Sequence, residues 1–195
     1  MSWLLALLAL FSVVPVARAQ ALHEADLAGS ALIFSKDGVF ASCGYRIVGG
    51  SNDATAGGRR FVEAILVITR NGPTIRLKGS LLPNGSRHLK NLIPVENHGG
   101  WIKAPGKTPA APLKDLPEGT ATPPAGIHLV DPDGAVHVVD AIAKGVPIQI
   151  GVKWTPKVET IYFGKVTIKD AQVDQFYQCI AEVSADMHRP NGLAR

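Results

Sequence analysis

Residues Phe61–Leu81 read FVEAILVITRNGPTIRLKGSL, and the architecture of the chain turns on them. Phe61–Thr69 carries apolar and β-branched residues at odd and even positions alike, the pattern of a central strand covered on both faces. Asn71-Gly72-Pro73 then turns the chain. From Thr74 the pattern alternates, with Ile75, Leu77 and Leu81 on one face and Arg76, Lys78 and Ser80 on the other, as in a strand with one face in water. Two such runs across a tight turn predict an antiparallel pair, and with it a β-rich chain.

The neighbouring segments repeat this grammar. Upstream, Ala31–Phe34 and Val39–Val48 flank the turn Lys36-Asp37-Gly38, which reads as a second hairpin. The residues from Gly49 to Gly58 are a loop of Gly, Ser, Asn, Asp, Ala and Thr with two basic neighbours, Arg59-Arg60, at its end. Downstream, Pro83-Asn84-Gly85 ends the strand. Asn84-Gly85-Ser86 fits a glycosylation sequon, although here it is first of all a turn. Val146–Trp154 alternates again, placing Ile148, Ile150, Val152 and Trp154 on one face. Lys157–Lys169 is a further strand-like run, with Gly164 as a bulge or bend. After Asp170, an N-cap residue, Val173, Phe176, Tyr177, Ile180, Val183, Ser184 and Met187 recur at helical spacing. Cys179 falls near the edge of that stripe. The sum is a β-rich α+β fold: an antiparallel sandwich or curved sheet with one C-terminal amphipathic helix packed on it.

Two segments interrupt the pattern. Half of the 14 prolines fall between Pro94 and Gly126. Proline lacks an amide donor and fixes φ, so this stretch is expected to be an excursion from the body rather than a source of central strands. Ile127–Asp140, IHLVDPDGAVHVVD, is expected to be a β-hairpin, its Pro132-Asp133-Gly134 turn carrying a bulge. In that register His128 and His137 point to opposite faces; a four-residue loop would instead set them opposite each other. Asp131 and Asp133 lack the further oxygen ligands of a calcium loop. No metal site and no cofactor are implied.

The ends speak to location. Leu4–Val16 is almost wholly apolar, and Ala17-Arg18-Ala19 places small residues where a signal peptidase reads them. Residues 1–19 are therefore expected to be a secretory signal peptide cleaved before Gln20. A retained membrane anchor is the alternative. Without Arg18, 19 Lys and Arg face 16 Asp and Glu, a net charge of +3. The basic residues are scattered and lack interleaved aromatics, which argues against nucleic acid as a partner. The only cysteines, Cys43 and Cys179, stand 136 positions apart. In an oxidising compartment they are expected to form a disulfide that joins the terminal helix to the N-terminal strands within a single domain, residues 20–195.

Reactive motifs are few. Arg46-Ile47-Val48-Gly49-Gly50 resembles the activation site of chymotrypsin-like serine proteases, but the match ends there: no Gly-Asp-Ser-Gly-Gly or Ala-Ala-His-Cys accompanies it, and the resemblance is set aside. There is no Gly-x-Ser-x-Gly elbow and no glycine loop for phosphate. His23-Glu24 has no second histidine at helical spacing, as a zinc protease would need. Glu96-Asn97-His98-Gly99-Gly100-Trp101 lies in the Pro-rich excursion, where His98 and Trp101 are candidate recognition groups. The expected function is that of an exported binding or interaction module of unknown ligand, without catalytic residues, in a bacterial periplasm, whose partner is another envelope or extracellular protein. A membrane contact is implied only if the N-terminal segment stays. Two other readings are carried: a hydrolase assembling His98, His137, Glu63 and Asp140 in three dimensions, and a tethered envelope subunit.

Overall fold

In the computed structural model, residues 20–51, 58–115, 127–168 and 172–187 are described. The expected signal peptide, the cap at Asp170 and residues 116–126 of the Pro-rich stretch lie outside the described residues. Strand β1 (Gln20–Glu24) leads through Ala25-Asp26 into a meander of long strands: β2 (Leu27–Lys36), β3 (Val39–Gly50), β4 (Gly58–Thr69) and β5 (Gly72–Pro83). Cys43, Tyr45 and Ile47 of β3 stand opposite Ile68, Leu66 and Ala64 of β4. Leu66 and Ala64 stand opposite Ile75 and Leu77 of β5. All of these are buried, and together they make one face of the core. The opposite face of β4, with Phe61, Glu63, Ile65 and Val67, is only half-buried. The expectation of cover on both faces is corrected: the β-branched residues there serve strand propensity, not a second core.

The Pro-rich stretch supplies three short strands, β6 (Ile93–Val95), β7 (Gly100–Lys103) and β8 (Pro112–Asp115). All lie at margins, where a missing amide donor costs no ladder bond. Next come β9 (Ile127–Val130), β10 (Ile148–Lys153), β11 (Glu159–Gly164) and β12 (Val166–Thr167). The smaller sheet has the order β1-β11-β10-β7; the larger runs β12-β2-β3-β4-β5-β9-β8, with β6 also paired to β5. Two segments cross between the sheets side by side, since β1 is parallel to β11 and β12 is parallel to β2. At this corner the Ala25 amide donates to the Phe163 carbonyl at 2.9 Å. A Cβ on Gly164 would meet the Ala25 carbonyl, so the bend expected at Gly164 is the place where the strand changes sheets.

Ile127–Asp140 is not a hairpin. Only Ile127–Val130 is strand; Pro132–Ala143 is helix α1. Asp131 is its N-cap, its carboxylate accepting from the Gly134 amide at 2.7 Å, and Pro132 opens the first turn. The misleading signal was Pro-Asp-Gly, which is a turn only if the chain must reverse. Asp-Pro followed by Ala135, Val138, Val139 and Ile142 is equally a capped helix with apolar residues at i, i+3, i+4 and i+7. These four are buried, against β7, β10 and β5. Among the described residues the fold thus has two α-helices, not one, and the register question for His128 and His137 lapses, because His137 lies on α1 and His128 pairs with Ile75.

Helix α2 (Val173–Met187) packs on β3, β2 and β4. Its buried line is Phe176, Cys179 and Val183, while Tyr177 is 48 % exposed. Cys179 is therefore central rather than marginal. Phe176 stacks on Tyr45 with centroids 4.1 Å apart, and burial of such a ring contributes about 1.5–3 kcal/mol. Cys43 and Cys179 form the disulfide, with Cα atoms 5.9 Å apart. Cross-linking at that separation stabilises by about 2–4 kcal/mol in measured cases, and it marks a non-reducing compartment. Buried residues of both sheets and both helices form one hydrophobic core.

Candidate functional site

The inner face of the smaller sheet is apolar: Ile102, Ile148, Ile150 and Val152 are fully buried. Alternation then places Trp101, Lys103, Gln149, Gly151, Lys153, Glu159 and Ile161 on the outer face. Apart from Gly151, all of these are partly exposed. Trp101 thus lies not in an irregular loop, as expected, but on an edge strand.

Asn97 sets up that strand. Its side-chain amide donates to the Leu77 carbonyl on β5 at 3.3 Å, and its oxygen accepts from the Gly99 amide at 3.2 Å. The chain leaves the larger sheet there. The His98 amide donates to the Lys153 carbonyl at 2.7 Å, and the Lys153 amide to the Gly99 carbonyl at 3.0 Å. These bonds extend the β7–β10 ladder, in which Trp101 is opposite Gly151.

The missing side chain at Gly151 is the seat of the indole. A Cβ there would overlap Trp101 Cε2 most closely, then the two atoms bonded to it, Nε1 and Cζ2. A point nearest a fusion carbon and next nearest its neighbours lies over the ring, not beside its edge, so the indole rests flat on the sheet. Its Nε1–H donates to Glu159 Oε1 on β11 at 2.9 Å, and the Lys103 ammonium stands 5.0 Å from a ring centroid. With the backbone beneath, that ammonium is on the outer side. His98 is exposed at the end of the same strand junction.

The second tryptophan has the same kinds of partner in the interior, but meets its glycine at the ring's rim. Trp154 lies against Gly79 of β5, its Nε1–H donates to Thr160 Oγ1 at 2.9 Å, and Arg60 stands 5.2 Å from the ring centroid. Trp154 is 6 % exposed and ties the two sheets together.

The hydrolase candidates do not converge. Glu63 is on the larger sheet, bonded to Arg46 at 2.5 Å with Lys78 3.9 Å away. Asp140 is exposed on α1 and paired with Lys144 at 2.8 Å. His137 is on α1 and His98 at the β7–β10 junction. Among the described residues, no three His, Cys, Asp or Glu side chains are grouped to hold a metal. Nor is any helix among them long and apolar enough to cross a membrane. The Tyr45 hydroxyl is buried with no hydrogen-bond partner among the described residues. Burial first, and Tyr177 second, raise its pKa above the ordinary phenol value, which keeps it protonated and inert.

No protein-family model matches the chain, and neither curated proteins nor solved structures yield a match. The site therefore rests on its own geometry. Sequence reading named Trp101 and His98 but missed Gly151, Glu159 and Lys103. The legible signal was Gly151 itself: a glycine inside an apolar alternation marks a close approach.

Proposed function

We propose that the chain is exported, most simply to a bacterial periplasm, and acts there as a non-catalytic binding module. The outer face of the smaller sheet, around Trp101, is the surface that meets its envelope or extracellular partner. One observation carries this reading: Trp101 is laid flat on Gly151 and held there by Glu159. An aromatic group fixed before binding loses little conformational freedom on contact, which is the economy of a recognition anchor. The disulfide and the apolar segment ending in Ala17-Arg18-Ala19 support export.

The test is capture from an envelope extract on immobilised wild type and on Trp101→Ala. The partner retained by wild type is expected to be absent from the variant. Identical partners on both would remove Trp101 from the account. Sequencing the amino terminus of the exported protein is expected to return Gln20; a retained Met1 would make it a tethered subunit.

A further inference from the structure

We infer that β1 is a docking edge for a second copy of this chain, the two β1 strands pairing antiparallel about a two-fold axis at Leu22. β1 stands at the end of the smaller sheet, bonded to β11 on one side and to no other described strand. An open edge is a template for another strand, and chains blunt it with proline, lysine, bulges or cover. Other edges are treated in this way. β12 has two residues, β8 carries Pro112 and a register shift, and the outer side of β7 is taken by the Ala110 bridge to Ile102. β1, QALHE, has none of these devices, and its Leu22 is 64 % exposed. Trp101 lies on β7, at the opposite edge of the sheet.

The free backbone groups of β1 fall in a self-complementary order. The Ala25 amide donates to the Phe163 carbonyl, so in this parallel ladder the amides and carbonyls of Ala21 and His23 also point to β11. Those of Gln20, Leu22 and Glu24 point to the free edge. An antiparallel partner bonds at every second residue. With Leu22 opposite Leu22 of the second copy, Gln20 stands opposite Glu24 and Glu24 opposite Gln20, and every free amide and carbonyl of the strand is used. Sliding the register by two residues loses one of these pairs.

Charge favours the same orientation, and this part rests on the export reading above, in which the chain begins at Gln20. The α-ammonium then points to the free edge. Around it stand Lys153, Lys157 in the preceding turn, and Glu159, which is opposite both Gln20 and Lys153. The other end of β1 carries exposed Glu24 and Asp26, with Lys165 just past the corner at Gly164. Among the described residues one end is thus net positive and the other net negative, and a two-fold axis brings unlike ends together. On the outer face the exposed Leu22, beside Ile161, meets Leu22 of the second copy as an apolar cross-strand pair. The two smaller sheets become one, and their Trp101 faces lie on a single surface, which presents two contacts to one partner.

The exported protein, its amino terminus sequenced, is followed by sedimentation and by amide exchange as its concentration rises. Its mass is expected to double, and the Leu22 and Glu24 amides to slow by about tenfold or more. A chain that stays monomeric overturns the inference, as does a dimer in which those two amides still exchange freely. Leu22→Lys and Leu22→Glu each set like charges on the axis and are expected to stay monomeric, while their equimolar mixture dimerises. Dimers of Leu22→Lys alone, or a mixture that stays monomeric, overturn the inference as well. The chain beginning at Gln20 keeps two tryptophans, and their unmoved indole N–H resonances show that a variant is folded; should one unfold, exchange in wild type still decides. Trp101→Ala is expected to dimerise as wild type does. If no dimer forms while Trp101→Ala loses the envelope partner, the edge pairing falls and the binding reading stands; if the dimer forms and Trp101→Ala keeps that partner, the reverse holds. An amino terminus at Met1 overturns the export reading, and the two amides still judge the edge.

Discussion

Trp154 and Trp101 are held by the same kinds of contact and placed differently. Each indole meets a glycine, Gly79 of the opposite sheet at the ring's rim for the first and Gly151 of the neighbouring strand beneath the ring for the second; each N–H finds an oxygen on β11, and each ring has a cation near it, Arg60 for the first and Lys103 for the second. Trp154 sits between the sheets and is 6 % exposed, whereas Trp101 lies on the outer face and is partly exposed. The difference teaches that rigidity and availability are separate properties. Glycine and a hydrogen bond hold both rings still, and only position leaves one of them free to meet something else.

The comparison can be broken first by truncation. Trp154→Ala empties a core site and is expected to cost about 3–5 kcal/mol in denaturant unfolding. Trp101→Ala, at a partly exposed site, is expected to cost about 1–2 kcal/mol. Equal costs would mean that Trp101 is only a structural plug.

Replacing Cys43 and Cys179 by Ala removes the staple between β3 and α2, far from both indoles in the ladder. A loss of about 2–4 kcal/mol is expected, with both indole resonances and ligand binding retained at temperatures where the protein stays folded. A shift of the Trp101 signal would show that the face depends on the staple.

Gly151→Val fills the seat of Trp101. Overpacking is expected to cost about 1–3 kcal/mol, to displace the indole resonance and to abolish binding. Binding that survives would mean that the flat indole is not the contact.

Asp131→Ala deletes the cap of the helix behind β7 and β10 and is expected to cost about 1 kcal/mol. A null effect in thermal unfolding would return Ile127–Asp140 to the hairpin reading.

Much of the fold was legible because alternation is a local property. The strands around Phe61–Leu81, the inner face from Ile148 to Trp154, the bend at Gly164 and the Cys43–Cys179 pair could all be read directly. Helix α1 was not, because four valines and Pro-Asp-Gly favour a hairpin locally. What outweighs them is tertiary: Ala135, Val138, Val139 and Ile142 fill the space beneath β7 and β10 only as a helix. The site was half legible for the same reason. Trp101 stands out in the sequence, but the residues that define it, Gly151 and Glu159, lie 50 and 58 positions away and meet it only through strand register.

The central claim, that the smaller sheet presents the binding face, is tested most directly by photo-cross-linking in cells that export the protein. A benzophenone side chain is placed at Gln149, on the outer face of the smaller sheet, or at Val48, on the outer face of the larger one. An adduct from Gln149 and none from Val48 is predicted. An adduct from Val48 and none from Gln149 would contradict the account.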